Sequence, residues 1–127
     1  MNVGVGPESD MLTFYMIDDY SGRNTFDKAV ADKFVSDYPQ FNIADTQKIH
    51  VVTLDSLYEQ MGIPDLLCID IEGLDYDALE ASSGRPKIIC VENEGRTKEF
   101  DNLLSFMGYG RIFNTLGNGI YLHESCN

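Results

Sequence analysis

Hydrophobic residues along the chain fall into two rhythms, every second position or every third to fourth, and the alternation of the two predicts the elements. Met11 to Ile17 alternates, with Leu12, Phe14 and Met16 on one side, which predicts a half-buried strand. Asp18-Asp19-Tyr20-Ser21-Gly22-Arg23 is a polar loop. Asn24 or Thr25 then caps a helix whose apolar positions Phe26, Val30 and Phe34 recur every fourth residue, and Tyr38-Pro39 ends it. Ile49 to Thr53 predicts a second strand. Leu54, Leu57, Tyr58 and Met61 step as an amphipathic helix stopped by Gly62 and Pro64. Leu66-Leu67-Cys68-Ile69-Asp70-Ile71 is almost continuously apolar, the pattern of a strand buried on both faces of a parallel sheet. A helix over Leu74 to Ala81 follows, with Asp75 and Asp77 near its positive end and on a solvated face together with Glu80. After the break Ser82-Ser83-Gly84-Arg85-Pro86, Ile88-Ile89-Cys90-Val91 repeats the buried-strand pattern. Phe100, Leu103, Leu104 and Met107 define a helix ending at Gly108, and Arg111-Ile112-Phe113 and Ile120-Tyr121-Leu122 flank the turn Leu116-Gly117-Asn118-Gly119 of a hairpin.

Strands alternating with helices predict a three-layer α/β architecture with a largely parallel sheet and one antiparallel hairpin at its edge, in a single domain over residues 1–127. Composition narrows the function. Nine Lys+Arg against 21 Asp+Glu give a formal charge of −12, which argues against nucleic-acid backbones and anionic membrane surfaces, since both want clustered cations. No apolar run is long enough to span a bilayer. Cys68 and Cys90 lie inside apolar runs and Cys126 lies one residue from the end, with no Cys-x-x-Cys spacing, so neither a zinc site nor a disulfide framework is indicated. A reducing, cytoplasmic setting is the expectation.

In open α/β sheets, ligands gather at the carboxyl ends of the strands. Two strand ends here carry acids: Asp70-Ile71-Glu72-Gly73 and Glu92-Asn93-Glu94-Gly95. An aspartate in a strand of Leu and Ile costs desolvation unless it is paired or reaches the open end. Asp70 or Glu72 capping the next helix is the plain alternative. The site reading is favoured because two neighbouring strands end alike. His50 and His123 read as surface or edge residues, since no second His stands at ligand spacing. Gly4-Val5-Gly6 reads as a strand-to-turn passage rather than a phosphate cradle, because no helix signature follows it.

Several segments together resemble the FkbM-type methyltransferases. They are Asn2-Val3-Gly4-Val5-Gly6-Pro7-Glu8-Ser9 with Leu12-Thr13-Phe14-Tyr15, then Val52-Thr53-Leu54-Asp55-Ser56-Leu57, then Pro64 through Gly73, then Pro86 through Glu92, then Gly108-Tyr109 and the hairpin. The most specific part is Leu-Asp-x-Leu combined with Ile-Asp-x-Glu-Gly. The resemblance implies an incomplete class I methyltransferase sheet of Rossmann-like type, S-adenosylmethionine as methyl donor, and a hydroxyl acceptor on a sugar or small metabolite. It implies Asp70 as first candidate base and Glu72 as second, and places Gly4 and Val5 near the donor's adenine. Related metal-dependent enzymes carry ligands after the same strands, which would make Asp70, Glu92 and Asn93 a Mg²⁺ set; such acids serve as readily as helix caps, and no metal is assigned. The family's Gly-rich donor loop has no counterpart in these residues. The chain therefore reads as the C-terminal half of such an enzyme, inactive and without useful donor affinity on its own.

Two readings from other classes remain. One is a non-catalytic binding or assembly module that keeps a methyltransferase-like half-sheet. The other is a Mg-dependent phosphodiesterase, since Asp-x-Glu on a strand also opens a two-metal pattern. The resemblance also implies an exposed edge at Leu66–Ile71, apolar and free of Lys or Pro, which predicts a homodimer unless Met1–Gly6 folds back over it.

Overall fold

The structure is a computed structural model that describes residues 1–17, 22–71 and 73–126. Its elements are strands β1 (Gly4–Val5) and β2 (Asp10–Met16), helix α1 (Lys28–Asp37), β3 (Asp45–Val52), α2 (Leu54–Met61), β4 (Leu66–Ile69), α3 (Asp75–Glu80), β5 (Ile88–Glu92), α4 (Thr97–Phe106), β6 (Tyr109–Asn114) and β7 (Asn118–His123). The alternating order is the expected one; several boundaries move, β4 ending at Ile69 rather than Ile71 among them, and the shifts at α1 and β3 have a clear physical reason. α1 is capped by Asp27, whose Oδ1 accepts from the amides of Ala29 (2.8 Å) and Val30 (3.2 Å). Thr25 instead holds the Asp27 amide through its hydroxyl, so Phe26 precedes the helix rather than opening it. β3 begins at Asp45, four residues before the apolar run, because the polar stretch Asp45-Thr46-Gln47-Lys48 pairs antiparallel with β2 from Met16 back to Thr13. Backbone pairing there overrides side-chain pattern. Of the expected loop over 18–23, residues 18–21 lie outside the described residues.

The single, largely parallel sheet expected from the alternation is a mixed arrangement of two sheets. One has the order β1-β3-β2 and the other β4-β5-β7-β6. Among the described residues, β1/β3 and β4/β5 are parallel, and β2/β3, β5/β7 and β6/β7 are antiparallel. The first residues thus pair with β3, and among the described residues no strand pairs with the outer edge of β4. The fold-back of Met1–Gly6 over that edge does not occur.

The core lies on one side of the second sheet. Ile69, Ile89, Val91 and Tyr121 meet Leu54 of α2, Ala78 and Leu79 of α3, and Phe100 and Leu104 of α4, with Val5 of β1 packed against the same cluster. The opposite side corrects the expectation of a strand buried on both faces: Leu66 is 54% exposed and Cys68 is also exposed. β4 has an alternating environment despite its uniform sequence, because helices cover one face only.

Candidate active site

The Leu-Asp-x-Leu motif is the first place to look for chemistry, and it proves structural. Asp55, in the first turn of α2, reaches across to the loop after α3. Its Oδ1 accepts from the Ser82 hydroxyl (3.0 Å) and the amides of Ser83 (3.1 Å) and Gly84 (3.0 Å). Its Oδ2 accepts from the Ser83 hydroxyl (2.7 Å) and amide (2.9 Å). Burial alone would raise the proton affinity of this carboxyl. The donors from Ser83, Gly84 and Ser82 outweigh it and hold the pKa at about 2. Gly84 is needed for this approach, since a Cβ there would fall 2.3 Å from the Tyr58 ring. Every lone pair Asp55 can offer is engaged, so it is a clamp and not a base.

The carboxyl ends of β4 and β5 are arranged otherwise. Asp70 follows β4 directly and is exposed, so it escapes desolvation by reaching the strand's open end. Among the described residues it does not cap α3, whose N-cap position is Leu74 and carries no side-chain capping bond. Gly73 turns the chain towards α3 with φ +99°, a conformation that favours glycine. Glu72, the second candidate base, lies outside the described residues. Asp75 departs from the solvated face expected of it: it is 6% exposed, and its Oδ1 accepts from the Ile71 amide (3.1 Å), so it braces the turn from inside.

Glu92, the last residue of β5, stands among these acids. Burial raises its pKa, and the charges of Asp70, Asp75 and Glu94 raise it further. Beside it is a cavity of about 360 Å³ lined by Asp75, Tyr76, Glu92, Glu94, Arg96 and Phe100. Arg96 lies over two rings, 4.9 Å from the Tyr76 centroid and 5.6 Å from that of Phe100, and its Nη2 is 2.7 Å from Glu99 Oε2. The cavity therefore has an aromatic and guanidinium wall facing a cluster of carboxylates. The sequence marks Glu92 as an acid at a strand end, without a base role, and gives no sign that Asp75, Tyr76 and Arg96 join it. The spacing of Tyr76 and Arg96 carries no signal, since their meeting depends on how α3 and α4 pack.

Asn93, buried at 1% exposed, points away from this cluster. Its Nδ2 donates to Asn114 Oδ1 (2.9 Å) and lies 3.3 Å from the Tyr121 hydroxyl, which itself donates to Asp101 (2.8 Å). Asn93 belongs to the hairpin, and among the described residues no group of three or more His, Cys, Asp or Glu side chains is set to hold a metal ion.

Gly4 and Val5 pair with Val51 and Val52. A Cβ at Gly4 would meet Phe26 and Val51 at 3.1 Å, and one at Gly6 would meet Val51 at 2.9 Å. The space these glycines leave is taken up by the chain's own side chains.

The pattern of the methyltransferase FkbM domain matches residues 1–118 of the 127. The chain belongs to the FkbM methyltransferase domain family. No curated protein and no solved structure matches it. Membership gives the FkbM domain a methyltransferase-like character and, for the family in general, S-adenosylmethionine as donor. The glycines at 4 and 6 do not fit a donor cradle, because side chains already fill the room beside them. Among the described residues, no helix is long and apolar enough to cross a membrane.

Proposed function

We propose that this FkbM domain carries the acceptor-binding and proton-removing end of an S-adenosylmethionine-dependent O-methyltransferase acting on a hydroxyl of a sugar or small metabolite. The observation that carries the reading is the crowding of Asp70, Asp75 and Glu94 around Glu92, beside a cavity walled by Tyr76 and Arg96. A hydroxyl oxygen accepts a methyl group well only as its proton leaves. A positioned carboxylate that takes the proton contributes on the order of 10²–10⁴-fold, and more proton affinity makes it a better base near neutral pH. Glu92 has that affinity raised by burial first and then by its acidic neighbours, and takes the base role. Asp70 stands next to it and sustains the shift. The ring of Tyr76 offers a face to the acceptor's carbon skeleton, and the remaining carboxylates accept from its other hydroxyls.

Nothing in this proposal assigns donor binding to Gly4 and Val5, and the isolated chain is expected not to bind S-adenosylmethionine usefully. Isothermal titration tests that part, and micromolar affinity would overturn it. Carbon-detected NMR titration of the Glu92 carboxyl tests the base. Its midpoint should lie above 4.5 and fall in Asp70→Asn. A midpoint at or below 4.5, unmoved by that substitution, would remove Glu92 from the role.

The uncovered edge of β4 supports a second proposal, that two copies pair there as a homodimer. Leu66 on that edge and Ile63 just before it are 54% and 55% exposed, and the strand itself carries no charge to deter pairing. Light scattering at micromolar concentration should give twice the chain mass; 14.3 kDa would refute the dimer.

A further inference from the structure

The same two strands that deliver Asp70 and Glu92 also set two cysteines side by side. β4 and β5 run parallel with Leu66 beside Ile88, Leu67 beside Ile89, Cys68 beside Cys90 and Ile69 beside Val91. Side chains alternate across a strand, so Ile69, Ile89 and Val91 enter the core at 6%, 1% and 0% exposed. Cys68 and Cys90 therefore share the opposite, open face. Cys68 is exposed there and Cys90 is half-buried. Burial raises the Cys90 pKa first, and the charge of the neighbouring Cys68 thiol raises it further.

Adjacent strands lie about 4.8 Å apart. That falls inside the roughly 4.4–6.8 Å between Cα atoms that a disulfide spans, while the Cβ atoms of such a pair sit slightly wider than the usual 3.5–4.5 Å. A bond between them is thus reachable with a small local movement and, being strained and open to solvent, easily reduced.

We propose that Cys68 and Cys90 form a dithiol site that exchanges with low-molecular-weight disulfides and closes reversibly into a cross-strand disulfide. The Cys68 thiolate, the exposed one, attacks one sulfur of a small disulfide. This forms a mixed disulfide on Cys68 and releases one small thiolate. Cys90 then loses its proton to water and attacks the Cys68 sulfur, which expels the second small thiolate as the Cys68–Cys90 bond forms. The two protein thiols are oxidised by two electrons, and the small disulfide is reduced to two thiols. The bond would tie β4 to β5 two residues before Asp70 and Glu92, so its state bears on how those carboxylates are held. The inference rests on strand register and exposure, and it stands whether or not the domain transfers methyl groups.

The test treats the full chain with oxidised glutathione, blocks remaining thiols with iodoacetamide and maps tryptic peptides. Cleavage after Lys48, Lys87 and Arg96 places Cys68 in residues 49–87 and Cys90 in residues 88–96, with Cys126 in residues 112–127. The expected product is a 49–87 peptide joined to 88–96, from a band that runs as a single chain without reductant and that dithiothreitol reverses. Cys90→Ser should leave glutathione trapped on Cys68, as on Cys126, a cysteine outside the pair. The proposal fails if wild-type Cys68 keeps its glutathione while Cys90 is alkylated. It fails equally if the joined peptides come only from a two-chain band or involve Cys126.

Discussion

Asp55 and Glu92 are both carboxylates at the edge of the same core, and the structure pushes them in opposite directions. Asp55 receives hydrogen bonds from Ser82, Ser83 and Gly84, and its charge is held so firmly that it titrates at about 2. Glu92 faces other acids and gives up its proton less readily than an ordinary glutamate. A carboxylate whose oxygens are all engaged by the protein has nothing left to offer a ligand. One whose neighbours are carboxylates stores unfavourable charge that a ligand, or a proton taken from one, can relieve. The contrast separates the Leu-Asp-x-Leu motif, whose Asp55 builds the scaffold, from the strand end at Glu92, which borders the candidate site.

The largest effect expected from breaking this contrast is at Asp55. Asp55→Ala should lower stability by about 2–3 kcal/mol at pH 7, as measured by urea unfolding, since it leaves the donors of the 82–84 loop unmet. The folded pKa lies below the unfolded value of 3.8, so the clamp's contribution is complete above 3.8 and is lost as the pH falls towards about 2. Wild type and Asp55→Ala should therefore converge in that interval. A gap that persists at the lowest pH would mean Asp55 acts through packing and not charge.

Next comes Tyr121→Phe, which removes the hydroxyl shared by Asn93 and Asp101. A cost of about 1–2 kcal/mol is expected, with the Glu92 midpoint unmoved. A shift of that midpoint would join Asn93 to the acid cluster after all. Glu92→Gln should change stability at pH 7 by no more than about 0.5 kcal/mol, in the stabilising direction. A raised folded pKa means the ionised carboxylate disfavours the folded state, so the advantage of the variant should fade as the pH drops through the folded midpoint and vanish below 4.5. A loss of stability instead would make Glu92 a scaffold residue like Asp55.

The order of elements was legible in the sequence because hydrophobic period separates strand from helix, as at Leu54, Leu57, Tyr58 and Met61 in α2. Partnership was not legible. The run Leu66 to Ile69 reads the same whether one face is covered or two, and nothing in residues 45–48 announces that β2 will draw them into a strand. At the site, Asp70 and Glu92 stood out as acids closing apolar strands. The burial of Asp75 did not, because an aspartate in the first turn of a helix reads equally well as a solvated one that favours the helix dipole. Only the Ile71 amide, brought round by the Gly73 turn, distinguishes the two.

The division into two sheets has a consequence for how the molecule opens. Among the described residues, β2 pairs with β3 and otherwise bridges to Thr25, and its residues are exposed or half-buried along its whole length. β5, by contrast, is flanked on both sides and carries Ile89 and Val91 at 1% and 0% exposed. Amide protons in β2 and the outer half of β3 should exchange with deuterated solvent through local fluctuations, while those of β5 wait for the whole domain to come apart. Exchange should thus divide the chain into a fast β2 and a slow block built on β5, β7 and α4, and a protease at low concentration should cut at β2 first.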